Sequence, residues 1–210
     1  MGSAVKLKLI LLTLIMGSLP TLSLACDILL LGDSISSGYG ITSGKSWANL
    51  LEQKLNLQHP NIHFRNLSVS GYTSKMALGI LKKTLENQSA QIIIVEIGGN
   101  DALRGISPDT FAKNMLEIEQ LAKAQNATLV ILGIRLPPNI PKSYRQAHSE
   151  VYAGMLKVHL GTNEFMDDVI ANDLFQTDRI HPNTAAQIYL LERAWPSIEQ
   201  ALEQQKEHCE

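Results

Sequence analysis

The chain has 210 residues, with 18 Lys+Arg against 20 Asp+Glu, 45% hydrophobic residues and 5% aromatics, a composition that supports one domain with a sizeable core. It excludes a disordered, collagen-like or disulfide-dense chain. The formal net charge of −2, with no Lys/Arg run and no Cys/His finger spacing, argues against a nucleic-acid partner. Two cysteines make neither a disulfide scaffold nor a four-thiolate metal site.

Residues 1–25 read as an export signal peptide. Lys6 and Lys8 form a basic start, Leu9 to Met16 an apolar run, and Pro20 breaks the helix before Ser23-Leu24-Ala25, the small-residue stretch that a signal peptidase reads ahead of Cys26. The apolar run is too short to remain as a membrane span. Its removal leaves 16 basic against 20 acidic residues in a soluble, exported product, residues 26–210, expected in the periplasm or secreted. Ala25-Cys26 also resembles a lipoprotein cleavage site, which makes lipid anchoring through Cys26 the alternative, although Ser23 stands where that motif has Leu. Export gives Cys26 and Cys209 an oxidising compartment. A bridge between them and two unpaired thiols near the chain ends both stay open at this point.

In chain order, four apolar runs alternate with amphipathic stretches: Asp27 to Leu31, Ile62 to Leu67, Gln91 to Ile97 and Thr128 to Ile134. Continuous, β-branched runs such as Ile92-Ile93-Ile94-Val95 suit strands buried on both faces, and the alternation predicts an α/β domain with a parallel sheet between helical layers. Trp47, Leu50, Leu51 and Leu55 share one helical face, as do Leu78, Leu81 and Leu85, and again Phe111, Met115 and Ile118. Ser107-Pro108 and Thr73 supply helix starts. Residues 142 to 158 read as a helix. Val158 to Glu164 is polar where a fifth strand belongs, so that strand is expected to be short, at the edge, or absent. Asn183 caps a final helix that Pro196 should kink or divide.

Ligands of open parallel sheets bind beyond the carboxyl ends of the strands. Polar clusters fall there: Gly32-Asp33-Ser34 after the first strand, Ser70-Gly71 after the second and Gly98-Gly99-Asn100-Asp101 after the third. A fourth, Asp178-Arg179-Ile180-His181-Pro182-Asn183, precedes the last helix. Together with Ile134-Arg135-Leu136-Pro137, these blocks resemble, in order and spacing, those of the SGNH (GDSL-type) hydrolases. Within that family the similarity runs to the periplasmic thioesterase I, lysophospholipase and arylesterase type, over nearly the whole mature chain. The resemblance implies one three-layer domain with a flavodoxin-like parallel sheet of four to five strands. It also implies a monomeric enzyme acting on small-molecule or lipid acyl esters and thioesters, without cofactor or metal.

It further implies Ser34 as nucleophile, and chemistry agrees. A serine hydroxyl attacks only when an imidazole takes its proton, and the imidazole needs a carboxylate to hold its tautomer. Asp178 and His181, three residues apart, can supply both from one turn. Charge developing on the substrate oxygen needs donors, which the resemblance assigns to the backbone N–H groups of Ser34 and Gly71 and the side-chain amide of Asn100. A glycine at 71 would let the backbone approach without a side chain in the way. Taken alone, Gly-Asp-Ser is as a rule a helix cap and Gly-Gly-Asn-Asp a tight turn.

His59, His63, His148, His159 and His208 lack a carboxylate at the same short spacing, and packing or surface roles suit them better. Leu136 resembles the acyl-contacting position of the family. Tyr72 stands where close relatives carry Asp and is expected to add an aromatic wall to the pocket, while Ala102 replaces a loop glycine. The expected chemistry is ester and thioester hydrolysis through an acyl-enzyme, fading below about pH 6 as the imidazole charges. The alternatives are a carbohydrate O-acetylesterase of the same fold and, from another class, a non-catalytic module binding a lipid or an anion.

Overall fold

Ile28 to Leu31 and Ile92 to Ile94 are fully buried, which is why these segments read as unbroken apolar runs rather than as alternating strands. The computed structural model describes residues 26–209, so the export signal expected over 1–25 lies outside the described residues. Strands β1 (Cys26–Gly32), β2 (Ile62–Asn66), β3 (Ile92–Glu96), β4 (Thr128–Leu132) and β5 (Leu160–Thr162) form one sheet. Its order is β2-β1-β3-β4-β5 and every pairing is parallel. This is the flavodoxin-like order, with its switch point between β1 and β3. The fifth strand is short and at the edge, as the polar stretch before Glu164 implies.

The helices are α1 (Ser34–Ser37), α2 (Trp47–Gln58), α3 (Ser74–Leu85), α4 (Gly99–Leu103), α5 (Pro108–Ala124), α6 (Lys142–Met155), α7 (Asp167–Ala171), α8 (Ala186–Gln204) and α9 (Lys206–Cys209). On one side of the sheet α3, α5 and α6 pack in a row, while α2, α7 and α8 pack together on the other. Most of the predicted stripes are buried: Trp47, Leu51 and Leu55 in α2, Leu78 and Leu81 in α3, and Phe111, Met115 and Ile118 in α5, with Leu50 and Leu85 half-buried at the margins. None of the helices among the described residues is long and apolar enough to cross a membrane.

The helix starts hold in two cases and differ in one. Ser107 accepts from the backbone of Thr110, and Asn183 accepts from Ala186 at the head of α8. Thr73 occupies the cap position of α3 without a side-chain capping bond. Buried Asp101 takes that role, accepting the Ser74 N–H at 2.8 Å and the Ser74 hydroxyl at 2.5 Å, because a carboxylate is a stronger acceptor than a hydroxyl. Pro196 does not divide α8, which runs unbroken from Ala186 to Gln204. Buried Ala194 and Ile198 on either side keep both halves seated on the core. Cys26 and Cys209 form a disulfide with a Cα–Cα distance of 4.6 Å, tying the head of β1 to α9. Closing a loop of 183 residues in the unfolded chain is worth about 5 kcal/mol in the chain-entropy picture.

Candidate active site

Gly32 ends β1, and a Cβ there would stand 2.5 Å from that of Ser36, so only glycine lets the chain turn directly into α1. Asp33 caps this short helix by accepting the Ile35 N–H at 3.1 Å. Ser34 follows as its first residue, at the carboxyl end of β1.

From the far end of the chain, residues 174–183 fold back as a narrow loop. Phe175 pairs with Pro182, Gln176 N donates to His181 O at 2.7 Å, and Asn183 N donates to Leu174 O at 2.9 Å. Arg179 takes a left-handed conformation at φ 60° and is tied to Asp173 by an ion pair at 2.6 Å. The loop carries Asp178 and His181, and it places His181 Nε2 2.9 Å from Ser34 Oγ and His181 Nδ1 2.7 Å from Asp178 Oδ2. The other Asp178 oxygen accepts the backbone N–H groups of Ile180 and His181 at 2.9 and 3.0 Å. These backbone bonds, that of His181 foremost, together with the imidazole, pull the Asp178 carboxyl down to about 2. Asp178 is therefore ionised at neutral pH.

Ser34, Gly71 and Asn100 line one cleft with His181 and Asp178. Gly71 has φ 84°, while a Cβ there would meet nothing nearer than Arg104 at 3.4 Å. Backbone conformation, rather than crowding by the protein, is what demands glycine. Asn100 donates through Nδ2 to Asp33 Oδ2 at 3.0 Å, which fixes its amide plane and leaves a second N–H for an acceptor in the cleft. Asp33 thus serves both the backbone and the amide.

Two carboxyls lie beneath this turn. Burial pushes Asp33 up to about 6, against the pull of its bonds from Ile35 and Asn100. Glu96, opposite Gly32 in the sheet register, is fully buried and accepts the Ser36 hydroxyl at 2.7 Å; burial drives its carboxyl well above the usual range and keeps it neutral. On the other side of β3, His148 stacks on Phe111 with centroids 4.4 Å apart, and burial lowers it to about 4. His148 is thus a neutral packing residue.

These shifts act on stability with opposite signs. Asp33, raised from 3.8, lends stability in full below about pH 4 and loses it as pH rises through 6. Neutral Glu96 works in the same sense. His148, lowered from 6.5, lends stability above that value and loses it as pH falls toward 4. Asp33→Asn should therefore make stability fall more steeply than in the wild type between about pH 6.5 and 4, as read from urea midpoints. Parallel pH curves for the two proteins would refute the assignment.

The cleft has a volume of about 1070 Å³, and apolar side chains such as Leu103, Ile134, Leu136, Ile140 and Met166 dominate its wall. Tyr72 is not part of the lining: its N–H closes a turn onto Val69 O, and the residue packs partly buried against the core. The aromatic side chains in the lining are Tyr39 and Phe175, and the Tyr39 ring lies 4.5 Å from that of His181. Sequence reasoning missed Tyr39, although glycines at 38 and 40, with φ 76° and 71°, mark the tight turn that presents it.

The chain has counterparts among known proteins. The GDSL-like Lipase/Acylhydrolase family matches residues 30–187. The chain is 36% identical over 182 residues to "Esterase TesA" of Pseudomonas aeruginosa, covering 85% of this chain and 90% of that protein. It is also 36% identical over 170 residues to "Thioesterase 1/protease 1/lysophospholipase L1" of Escherichia coli, covering 79% and 80%. Among solved structures, the psychrotrophic esterase EstA from Pseudoalteromonas sp., inhibited by monoethylphosphonate, superposes with a TM-score of 0.77 at 31% identity over 84% of this chain and 98% of that one. The chain belongs to the GDSL-like lipase/acylhydrolase family.

Proposed function

We propose that the protein is a serine hydrolase of acyl esters and thioesters, with Ser34 as nucleophile, His181 as general base and Asp178 as the carboxylate that holds it. The observation that carries this reading is the unbroken line from Ser34 Oγ through His181 to Asp178, with contacts of 2.9 and 2.7 Å. Ser34 Oγ attacks the acyl carbon while its proton passes to His181 Nε2. The oxyanion that forms accepts from the Ser34 and Gly71 N–H groups and from Asn100 Nδ2, and each such donor is worth roughly 3 kcal/mol. His181 then gives the proton to the departing alcohol or thiol, leaving an acyl-enzyme. A water that yields its proton to His181 attacks the acyl carbon, and the acid leaves with Ser34 restored.

The acyl chain lies along the apolar wall that includes Leu136. The cleft volume of about 1070 Å³ suits a chain of medium or greater length. The names of the relatives, an esterase and a thioesterase/lysophospholipase, support the same substrate class. Residues 1–25 are a leader and the enzyme works after export. The Cys26–Cys209 disulfide supports this placement and favours a soluble product over a lipid-anchored one, because a sulfur in a disulfide cannot also carry a thioether lipid.

A fluorophosphonate probe tests the reading directly. One phosphonyl group per chain, on the peptide containing Ser34, is the expected mass shift; an unlabelled protein would belong to the non-catalytic binding class. Chain-length profiling decides the substrate. Each buried methylene contributes about 0.8 kcal/mol, so p-nitrophenyl octanoate should exceed the acetate in kcat/KM by at least about tenfold. The reverse preference would assign the enzyme to carbohydrate O-acetyl groups.

A further inference from the structure

The base and its carboxylate share one short loop, so their contact is local, whereas Ser34 lies 147 residues from His181 in the chain. Something must hold the two segments in register. Tyr39 N donates to Ser34 O at 3.0 Å, which closes the turn that carries the nucleophile. Tyr39 O in turn accepts from Gln176 Nε2 at 2.8 Å, and the same nitrogen donates to Pro182 O at 2.9 Å. Gln176 N donates to His181 O at 2.7 Å. A continuous path of hydrogen bonds therefore runs from the backbone of Ser34 to the backbone of His181 through a single glutamine. Both protons of its amide are used, one on each segment.

Two neighbours are shaped around this side chain. Gly40 has φ 71°, and a Cβ there would stand 2.2 Å from Gln176 Oε1, so the missing side chain at position 40 makes the space that the amide fills. Tyr39, whose carbonyl the amide holds, rests its ring 4.5 Å from the imidazole of His181. Among the described residues, the Gln176–Tyr39 bond is the one hydrogen bond joining residues 34–40 to residues 174–183 besides the Ser34–His181 contact itself.

We propose that Gln176 is a positioning residue: its amide clamps the nucleophile turn to the acid–base loop and so sets the approach of His181 to Ser34. The proposal rests on the reading of those two as base and nucleophile. Gln176 touches neither substrate nor reacting atoms, and it acts only through the distance between the two segments. Displacing a reacting pair by about 1 Å costs on the order of a hundredfold in rate.

The test uses Gln176→Leu, which keeps the bulk and removes both donors, with p-nitrophenyl octanoate as substrate and rates normalised to native protein by fluorophosphonate titration. The expected result is a kcat lower by roughly 30- to 100-fold, with KM changed less than about threefold. The acid limb of the pH–rate profile should stay in place, because the Asp178–His181 contact lies within the loop and survives. A merely structural role would instead lower the yield of native enzyme and leave its normalised kcat alone.

Gly40→Ala, which crowds the same amide from the other side, provides the second arm. Alone it should lower kcat at least about tenfold, and on a Gln176→Ala background, which empties the space that the Cβ enters, its effect should shrink well below that, a coupling expected of residues in contact. Native Gln176→Leu with kcat within about threefold of the wild type, or fully additive effects, would overturn the clamp. If Gln176→Leu does not fold, Gln176→Ala decides, with a loss of at least about tenfold in normalised kcat in support and a loss under about threefold against. Hydrolysis that survives Ser34→Ala would sink the catalytic reading itself, whereas Ser34-dependent hydrolysis that ignores Gln176 would sink only the clamp.

Discussion

Ser34→Ala should lower kcat on p-nitrophenyl octanoate by about 10⁵- to 10⁶-fold, the scale seen when a nucleophile that works as part of a unit is removed. No other hydroxyl occupies its place. Ser36 is turned inward to Glu96 at 2.7 Å, and Ser37 pairs with Ser70 at 3.0 Å. The substitution should be nearly silent in stability, because the capping of α1 belongs to Asp33 and, among the described residues, the Ser34 hydroxyl bonds only to His181. KM should stay close to that of the wild type, since the cleft wall is untouched. Full activity in a folded Ser34→Ala protein would end the proposed mechanism.

Asp178→Asn should cost about 10⁴-fold in kcat with little change in fold. The reason is a tautomer. The amide introduced by this substitution could still accept the N–H groups of Ile180 and His181 through its oxygen, so the loop would keep its shape. Its NH₂ group would then face His181 Nδ1 and donate to it, which forces the ring proton onto Nε2. An imidazole protonated there cannot take the proton of Ser34. Asp178→Ala, which imposes no tautomer, should lose less than the isosteric Asp178→Asn, and steady-state kinetics of the pair at one fixed pH would check the ordering. Since Asp178 titrates at about 2, its protonation plays no part in any loss of activity above about pH 4.

The sheet was legible because its central strands are buried on both faces: Ile92-Ile93-Ile94-Val95 has no polar residue to blur the pattern, and the same holds for Leu29-Leu30-Leu31. Chain order and turn chemistry at the strand ends then brought Ser34, Gly71 and Asn100 to one edge. Legibility fails where a residue's role is decided by a partner distant in sequence. Thr73 looks like a cap and is bypassed, because Asp101 arrives from the next crossover. Tyr72 follows the glycine turn and packs against the core, while Tyr39, unremarked in the sequence, meets the imidazole. Gln176 carries no local signature at all, since its meaning lies in a carbonyl 137 residues away. Glu96 is hidden for another reason: at the end of an apolar run a glutamate suggests the strand's wet end, yet it is sealed under α1 and kept uncharged.

The disulfide sits at the head of β1, and Ser34 comes just past its tail. The 7 extended residues of β1 separate them, a span of roughly 20 Å. Cys26 and Cys209, the first and last described residues, therefore lie together at the base of the sheet, stapled to one another, while the mouth of the cleft opens at the far end of the strands. A tether joined to the polypeptide just past Cys209 would hang from that base, so the enzyme could be fixed to a solid support there with its opening still turned toward the bulk.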